Sequence, residues 1–250
     1  MNEMKILTKL YFLLIVPMVL AGCEAGLEYE EVPENVYNNV ELGTNMCNIY
    51  SRQFFNNQIY AKNWDRWVEE YVAQATIGNY QSEKDYTNNT STSLTILGQA
   101  IAPGATVKVK NTLTTEDDSS APDGKVYVIN AFADKYAIYN HYTSGSYLFD
   151  ASKFTGDFKL VDKDGNPLDA SVTQSGYIKM PVDIKQLVVA IVMSDTNGGF
   201  QIDPVGDAPT LGVPNDFSQP RRYLVTNIAR RPDGKPAAQR LYEIRIQLLP

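Results

Sequence analysis

From about Leu94 onward the chain alternates apolar and polar residues with a period of two. Val107, Val109 and Leu113 interleave with Lys108, Lys110 and Thr112, as in a half-buried strand. Similar runs cover 125–132, 136–142, 158–162, 177–180, 187–193, 223–228 and 242–248. The run 187–193 is apolar throughout, which predicts a central strand covered on both faces. Turn chemistry separates the runs: Asp123-Gly124, Asp164-Gly165-Asn166-Pro167, Asn197-Gly198-Gly199 and Pro232-Asp233-Gly234. Many short strands without helical intervals predict a mainly β fold, an antiparallel β-sandwich.

Before residue 86 the period reads differently. Trp64, Trp67, Val68, Tyr71, Val72 and Ala75 match one apolar helix face, with Asp65, Arg66, Glu69, Glu70 and Gln74 opposite. Gly78-Asn79 would stop such a helix. A looser pattern over 36–55 fits a second short helix or an extended arm, and a strand stays open for both stretches. The expectation is an N-terminal helical segment, 36–85, packed against a β-sandwich domain, 86–250. A lone helix of this length cannot bury its apolar face by itself.

The chain opens on an apolar run, Ile6 to Leu20, with Lys5 and Lys9 on its leading side and Leu20-Ala21-Gly22-Cys23 at its end. A basic start, a short apolar core and small residues before a cut make a secretory signal peptide. The run is shorter than the ~20 residues of a spanning helix. With cysteine directly after the small residues, the segment resembles a bacterial lipoprotein signal. That resemblance implies removal of residues 1–22 and a diacylglycerol thioether on Cys23. Residues 23–35 are acidic and aperiodic, as a tether is. Glu24, Glu28, Glu30 and Glu31 there resemble the surface-export signal of Bacteroidetes-type lipoproteins. The whole resembles an outer-membrane surface lipoprotein of an accessory, β-rich kind. The resemblance implies lipid anchoring in the outer membrane, display at the cell surface, and service in a nutrient-capture system that holds glycan near an outer-membrane transporter.

Charge and cysteine count narrow the chemistry. The 250 residues carry a net charge of −7, so nucleic acid is not an expected partner. No polybasic patch exists to hold anionic lipid, so the membrane link would be the acyl chains themselves. With Cys23 lipidated, Cys47 is the one thiol left; it reads as a buried, inert side chain that cannot form an internal disulfide. His141 is the one histidine, so a His/Cys zinc site is excluded, and neither metal nor cofactor is expected. Asp162-x-Asp164-Gly165-Asn166 has the alternating oxygens of a calcium loop but reads better as a hairpin turn.

Catalytic motifs are missing: there is no Gly-x-Ser-x-Gly, no phosphate-binding glycine loop, and no nucleophile beside His141. Sixteen tyrosines are the remaining signal. Alternation over 136–142 puts Tyr136, Ile138, Asn140 and Tyr142 on one face and Ala137, Tyr139 and His141 on the other. One face must be core; the other offers rings with polar tips suited to stacking on sugars. The candidate ligand-binding residues are therefore Tyr139, His141, Tyr142 and Tyr147, against the plainer possibility that these rings fill the core. The Pro-rich loop 203–219 reads as ordered and laid over a sheet face.

The functional expectation is a non-catalytic accessory protein that binds glycan. An alternative is a fimbrial or adhesin-like subunit assembling by strand exchange, for which the alternating tail 239–249 would be the donated strand. A third, a glycoside hydrolase, needs two carboxylates at a set separation, which sequence cannot locate.

Overall fold

The computed structural model describes residues 34–55, 59–61, 66–68, 71–140, 147–149, 159–161, 177–194, 199–229 and 234–250. The chain divides into two units, Met1–Val36 and Tyr37–Pro250. A short helix, α1 (Glu34–Asn38), opens the described part. Strands β1 to β9 are Leu42–Phe55, Ile59–Ala61, Arg66–Val68, Tyr71–Thr76, Lys84–Thr87, Leu94–Ile96, Gln99–Ile101, Thr106–Val109 and Thr112–Asp117. Strands β10 to β18 are Lys125–Asp134, Tyr136–Asn140, Tyr147–Phe149, Lys159–Val161, Tyr177–Pro181, Leu187–Met193, Phe200–Val205, Arg221–Asn227 and Gln239–Leu249.

Two sheets carry the fold. One has the order β15-β1-β4 and the other β16-β17-β18-β10-β9. Their alternating side chains meet in one apolar cluster. Cys47, Ile49, Ala73, Ala75, Leu187 and Val189 come from the first sheet, and Ile129, Ala131, Tyr223, Val225, Tyr242 and Ile244 from the second. Ala137, Tyr139 and Ile178, from a smaller sheet of order β11-β14-β13, join the same cluster. The architecture is thus mainly β, with several antiparallel sheets. One pairing departs from that rule, because β10 and β18 run parallel from Val126↔Leu241 to Asp134↔Leu249.

The reverse face of the five-stranded sheet is also covered. Phe132 and Leu249 pack with Ile96, Ile101 and Val109, which the β5–β8 and β6–β7 pairs supply, and with Tyr80 from the segment between β4 and β5. Further along, Glu243 is buried and accepts from Arg222 Nε at 2.7 Å and Arg245 Nε at 2.6 Å. Arg245 also grips Glu116 on β9, and Arg222 reaches Asp118, so ion pairs tie three strands together across that face.

The helical reading of 64–75 is corrected. Arg66–Val68 and Tyr71–Thr76 are strands. Ala73, Ala75 and Ile77 are buried, while Val72, Gln74 and Thr76 face out, a period of two that small alanines concealed. Pairing of β4 with β1, from Tyr50↔Thr76 to Phe55↔Tyr71, decides the conformation where local pattern was ambiguous. Most of the stretch 36–55 is likewise the strand β1.

Three further expectations change in detail. The run expected to span 107–113 is two strands, broken at Lys110-Asn111, where the buried Asn111 carboxamide accepts from the Phe132 amide at 2.9 Å. Strand β15 is buried as expected, yet it lies at a sheet edge. The expected Pro-rich loop 203–219 is shorter, because 203–205 end strand β16, and its remainder covers that edge rather than a sheet face. Leu187 and Asn215 exchange backbone hydrogen bonds of 3.0 Å, and the Gly212 amide donates to the Val189 carbonyl at 2.9 Å. Phe217 inserts below and is 1% exposed. The loop therefore satisfies backbone groups that an edge strand would leave open.

Candidate functional site

The residues singled out from sequence do not come together as a surface site. Tyr139 is a correction: it is 2% exposed, packs in the main core, and its hydroxyl donates to Ser51 Oγ. Burial raises its pKa above the usual tyrosine value, although the Ser51 bond opposes this. Alternation had left open which face of β11 was core, and Ala137 and Tyr139 take it. Tyr136 and Ile138 face outward, with Lys179 Nζ 5.2 Å from the Tyr136 ring centroid. His141, Tyr142, Cys23 and the turn at 162–166 lie outside the described residues. Tyr147 begins β12, opposite Ala61 of β2.

A different place has the features of a ligand site. An open cleft of about 480 Å³ is lined by Glu41, Leu42, Gly43, Thr44, Met46, Leu113, Tyr127 and Arg240. Small-molecule sites commonly span about 300–1,000 Å³ and combine apolar walls with a few convergent polar groups. Here Leu42, Met46 and Leu113 supply apolar surface, Tyr127 a ring, Arg240 a cation and Glu41 a carboxylate.

Three features of the fold build it. The first is an irregularity in β1. Leu42 pairs with Met193 and Cys47 with Ile191, so five residue steps on β1 face two on β15. The four residues 43–46 thus stand opposite Val192 alone, bulge out and form one rim. Met46 there has φ 48°, a conformation that costs a non-glycine residue energy and often marks a functional position. Gly43 is required at the base of the bulge, since a Cβ would lie 2.9 Å from the Met193 carbonyl oxygen.

The second is the parallel pairing of β10 with β18, which sets Tyr127 directly beside Tyr242. Their ring centroids are 5.7 Å apart at 50°. Arg240, two residues before Tyr242 on the same face, lays its guanidinium over the Tyr127 ring at 4.2 Å, a cation–π arrangement. The Tyr127 hydroxyl donates to Asp123 Oδ2 at 3.0 Å. Burial first, and then that carboxylate, raise the Tyr127 pKa, so the ring stays a neutral phenol.

The third is a set of bonds that fixes the wall at 39–41. The Tyr242 hydroxyl donates to the Val40 carbonyl at 2.7 Å, and Asn227 Nδ2 donates to the Asn39 carbonyl at 2.7 Å. The Ser194 amide donates to the Glu41 carbonyl at 2.8 Å.

Arg240 is the unusual member. Its Nη1 donates weakly to the Tyr242 hydroxyl at 3.4 Å, while its Nε is buried with no acceptor. Among the described residues it forms no ion pair, unlike Arg221, Arg222 and Arg245. A buried donor without a partner costs about 1–3 kcal/mol, so its retention calls for an explanation.

Sequence reasoning missed these residues because they come from three distant segments. One signal was present. Alternation along β18 puts Arg240 on the face of Tyr242, Ile244 and Ile246, so a cation stands at the end of a core-facing stripe. The cleft carries one carboxylate, Glu41, where glycoside hydrolysis uses two. Among the described residues no three His, Cys, Asp or Glu side chains converge as metal ligands do, and no helix is long and apolar enough to cross a membrane.

No protein-family model matches the chain, and no curated protein matches it. Among solved structures, a candidate secreted protein of Bacteroides fragilis aligns with 86% of this chain and 99% of its own, at 13% identity and a TM-score of 0.31. A likeness at that score carries no argument about fold or function.

Proposed function

We propose that this chain is a lipid-anchored, non-catalytic binding module of the cell surface that holds a glycan in the Glu41–Tyr127–Arg240 cleft. The observation that carries the reading is the cleft itself: a tyrosine ring stacked with a guanidinium, apolar walls and one carboxylate acceptor. A sugar ring presents an apolar face and a rim of hydroxyls, and these groups complement both parts. The start of the chain supports the address, since Leu20-Ala21-Gly22-Cys23 after a short apolar run resembles a lipoprotein signal. In this reading Cys23 is acylated in the outer membrane, and the module presents glycan to an outer-membrane transporter.

The assembly alternative draws less support. It needs a terminal strand free to pair elsewhere, whereas β18 pairs with β10 on one side and β17 on the other.

The test is a glycan array probed with the full chain in detergent. Saturable binding to one glycan class is expected, and Tyr127→Leu should weaken it with the circular-dichroism spectrum unchanged. Binding to no glycan would reject the reading. Growth of cells with labelled palmitate tests the anchor: label should enter the wild type and be absent from Cys23→Ala.

A further inference from the structure

We infer that the glycan taken by this cleft is acidic, and that Arg240 receives a sugar carboxylate; this rests on the glycan-binding reading above. Arginine is costly to leave without acceptors, and the other well-described arginines of the five-stranded sheet have them. Arg221 meets Asp207, Arg222 meets Glu243 and Asp118, and Arg245 meets Glu243 and Glu116. Arg240 faces a cleft, has an unpartnered Nε, and spends Nη1 on a long bond to a tyrosine hydroxyl. Its Nη2 has no acceptor among the described residues. Nε is buried, so the part of the fork left to a ligand is its outer edge, Nη2 and the weakly engaged Nη1. A planar carboxylate matches that edge with two parallel N–H···O bonds.

The neighbours of Arg240 select among anions. Glu41 lines the same cleft, so the local charge is one cation against one carboxylate. That balance suits a monoanion better than a phosphate dianion, which Glu41 would repel more strongly. The net charge of −7 further disfavours dense polyanions. Stacking on Tyr127 already holds the guanidinium plane in place, so a ligand meets a pre-oriented fork. Glu41 is left to accept from ring hydroxyls, and Leu42, Met46 and Leu113 to meet the apolar face of the sugar. The ligand class is accordingly a short oligosaccharide bearing a uronic acid or a comparable sugar carboxylate.

The test is calorimetric titration of the full chain in detergent with three matched probes: a uronate-containing oligosaccharide, the same oligosaccharide with its carboxyls reduced to alcohols, and a sulfated neutral oligosaccharide. The expected result is binding of the uronate form, at least about tenfold weaker binding of the reduced form, and weakening as salt rises. Arg240→Gln should lower uronate affinity about tenfold or more. Arg240→Lys, which keeps the charge but not the fork, should lower it by a smaller factor with the fold unchanged by circular dichroism. Lys110→Gln, away from the cleft, should leave it unaltered. Equal affinity for the uronate and reduced forms would overturn the inference while leaving glycan binding in place. Preference for the sulfated probe would overturn it too. Binding to none of the three, with an empty glycan array, would overturn both readings together.

Discussion

Tyr242→Phe removes one oxygen atom from the junction between the core and the cleft. The residue is fully buried, and its hydroxyl donates to the Val40 carbonyl at 2.7 Å. Phenylalanine fills the same volume, so no cavity opens and the loss is confined to polar terms. A net hydrogen bond is worth about 1 kcal/mol, and a buried acceptor left unmatched adds to that, for a total of about 2 kcal/mol. Val40 is itself 4% exposed, so water has little access to the abandoned carbonyl. For a chain of this size, about 2 kcal/mol corresponds to a fall in Tm of about 4–8 °C. Urea unfolding should show a lower midpoint with an unchanged slope, because the exposed surface does not change. Arg240 would also lose its one bond to the protein, so ligand affinity should drop in the same variant. A stability change below about 0.5 kcal/mol would refute the reasoning, because it would mean that the carbonyl finds another donor at no cost.

Other expectations follow from the core. Burial raises the tyrosines Tyr139 and Tyr242, raises Tyr80 further with help from Asp134, and pushes Tyr223 up to about 12 from 10.0. Groups raised on folding contribute stability that is whole below about pH 10 and drains as pH climbs toward their folded values. Absorbance at 295 nm should therefore show a group of tyrosines ionising only as the circular-dichroism signal is lost; smooth titration of every tyrosine near pH 10 with the fold intact would contradict this. Cys47 is completely buried and its thiol is pushed up to about 12, so a thiol reagent should fail to label it until denaturant is added. Gly78→Ala should cost about 1–3 kcal/mol in urea unfolding, because the new methyl would sit 2.6 Å from Ile49 Cβ in the core. Phe217→Ala should cost about 3–5 kcal/mol and speed hydrogen exchange at the Gly212 and Asn215 amides that cap β15.

Legibility from sequence followed the length and contrast of the pattern. Strands β15 and β18 were readable because seven residues stay apolar in the first and alternate in the second, and β10 because two apolar runs flank the single Asn130. Along β18 the alternation expected of the tail 239–249 is seen: Ile244, Ile246 and Leu248 face the main core, while Glu243 and Arg245 join the ion pairs behind. The stretch 64–75 failed for a definable reason. Its large side chains satisfy the helical spacing, whereas the residues that decide the strand are Ala73 and Ala75, whose small side chains give almost no pattern signal. Edge and centre were also illegible, since β15 looks central by composition and gains its cover from a loop more than ten residues downstream.

The site was less readable than the fold. Glu41, Tyr127 and Arg240 are brought together by a four-residue bulge in β1 and by a parallel pairing between β10 and the final strand. Neither has a local signature. Tyrosine count pointed to rings as the binding chemistry, but burial assigned Tyr139 to the core and left Tyr127 at the cleft.

Hydrogen–deuterium exchange on the full chain, with and without a uronate-containing oligosaccharide, tests the central claim most directly. The account predicts slowed exchange in the peptides that carry the 41–46 bulge, Tyr127 and Arg240, and no change in those that carry Tyr136. Protection confined to the 136–149 region, or spread evenly over the chain, would contradict it.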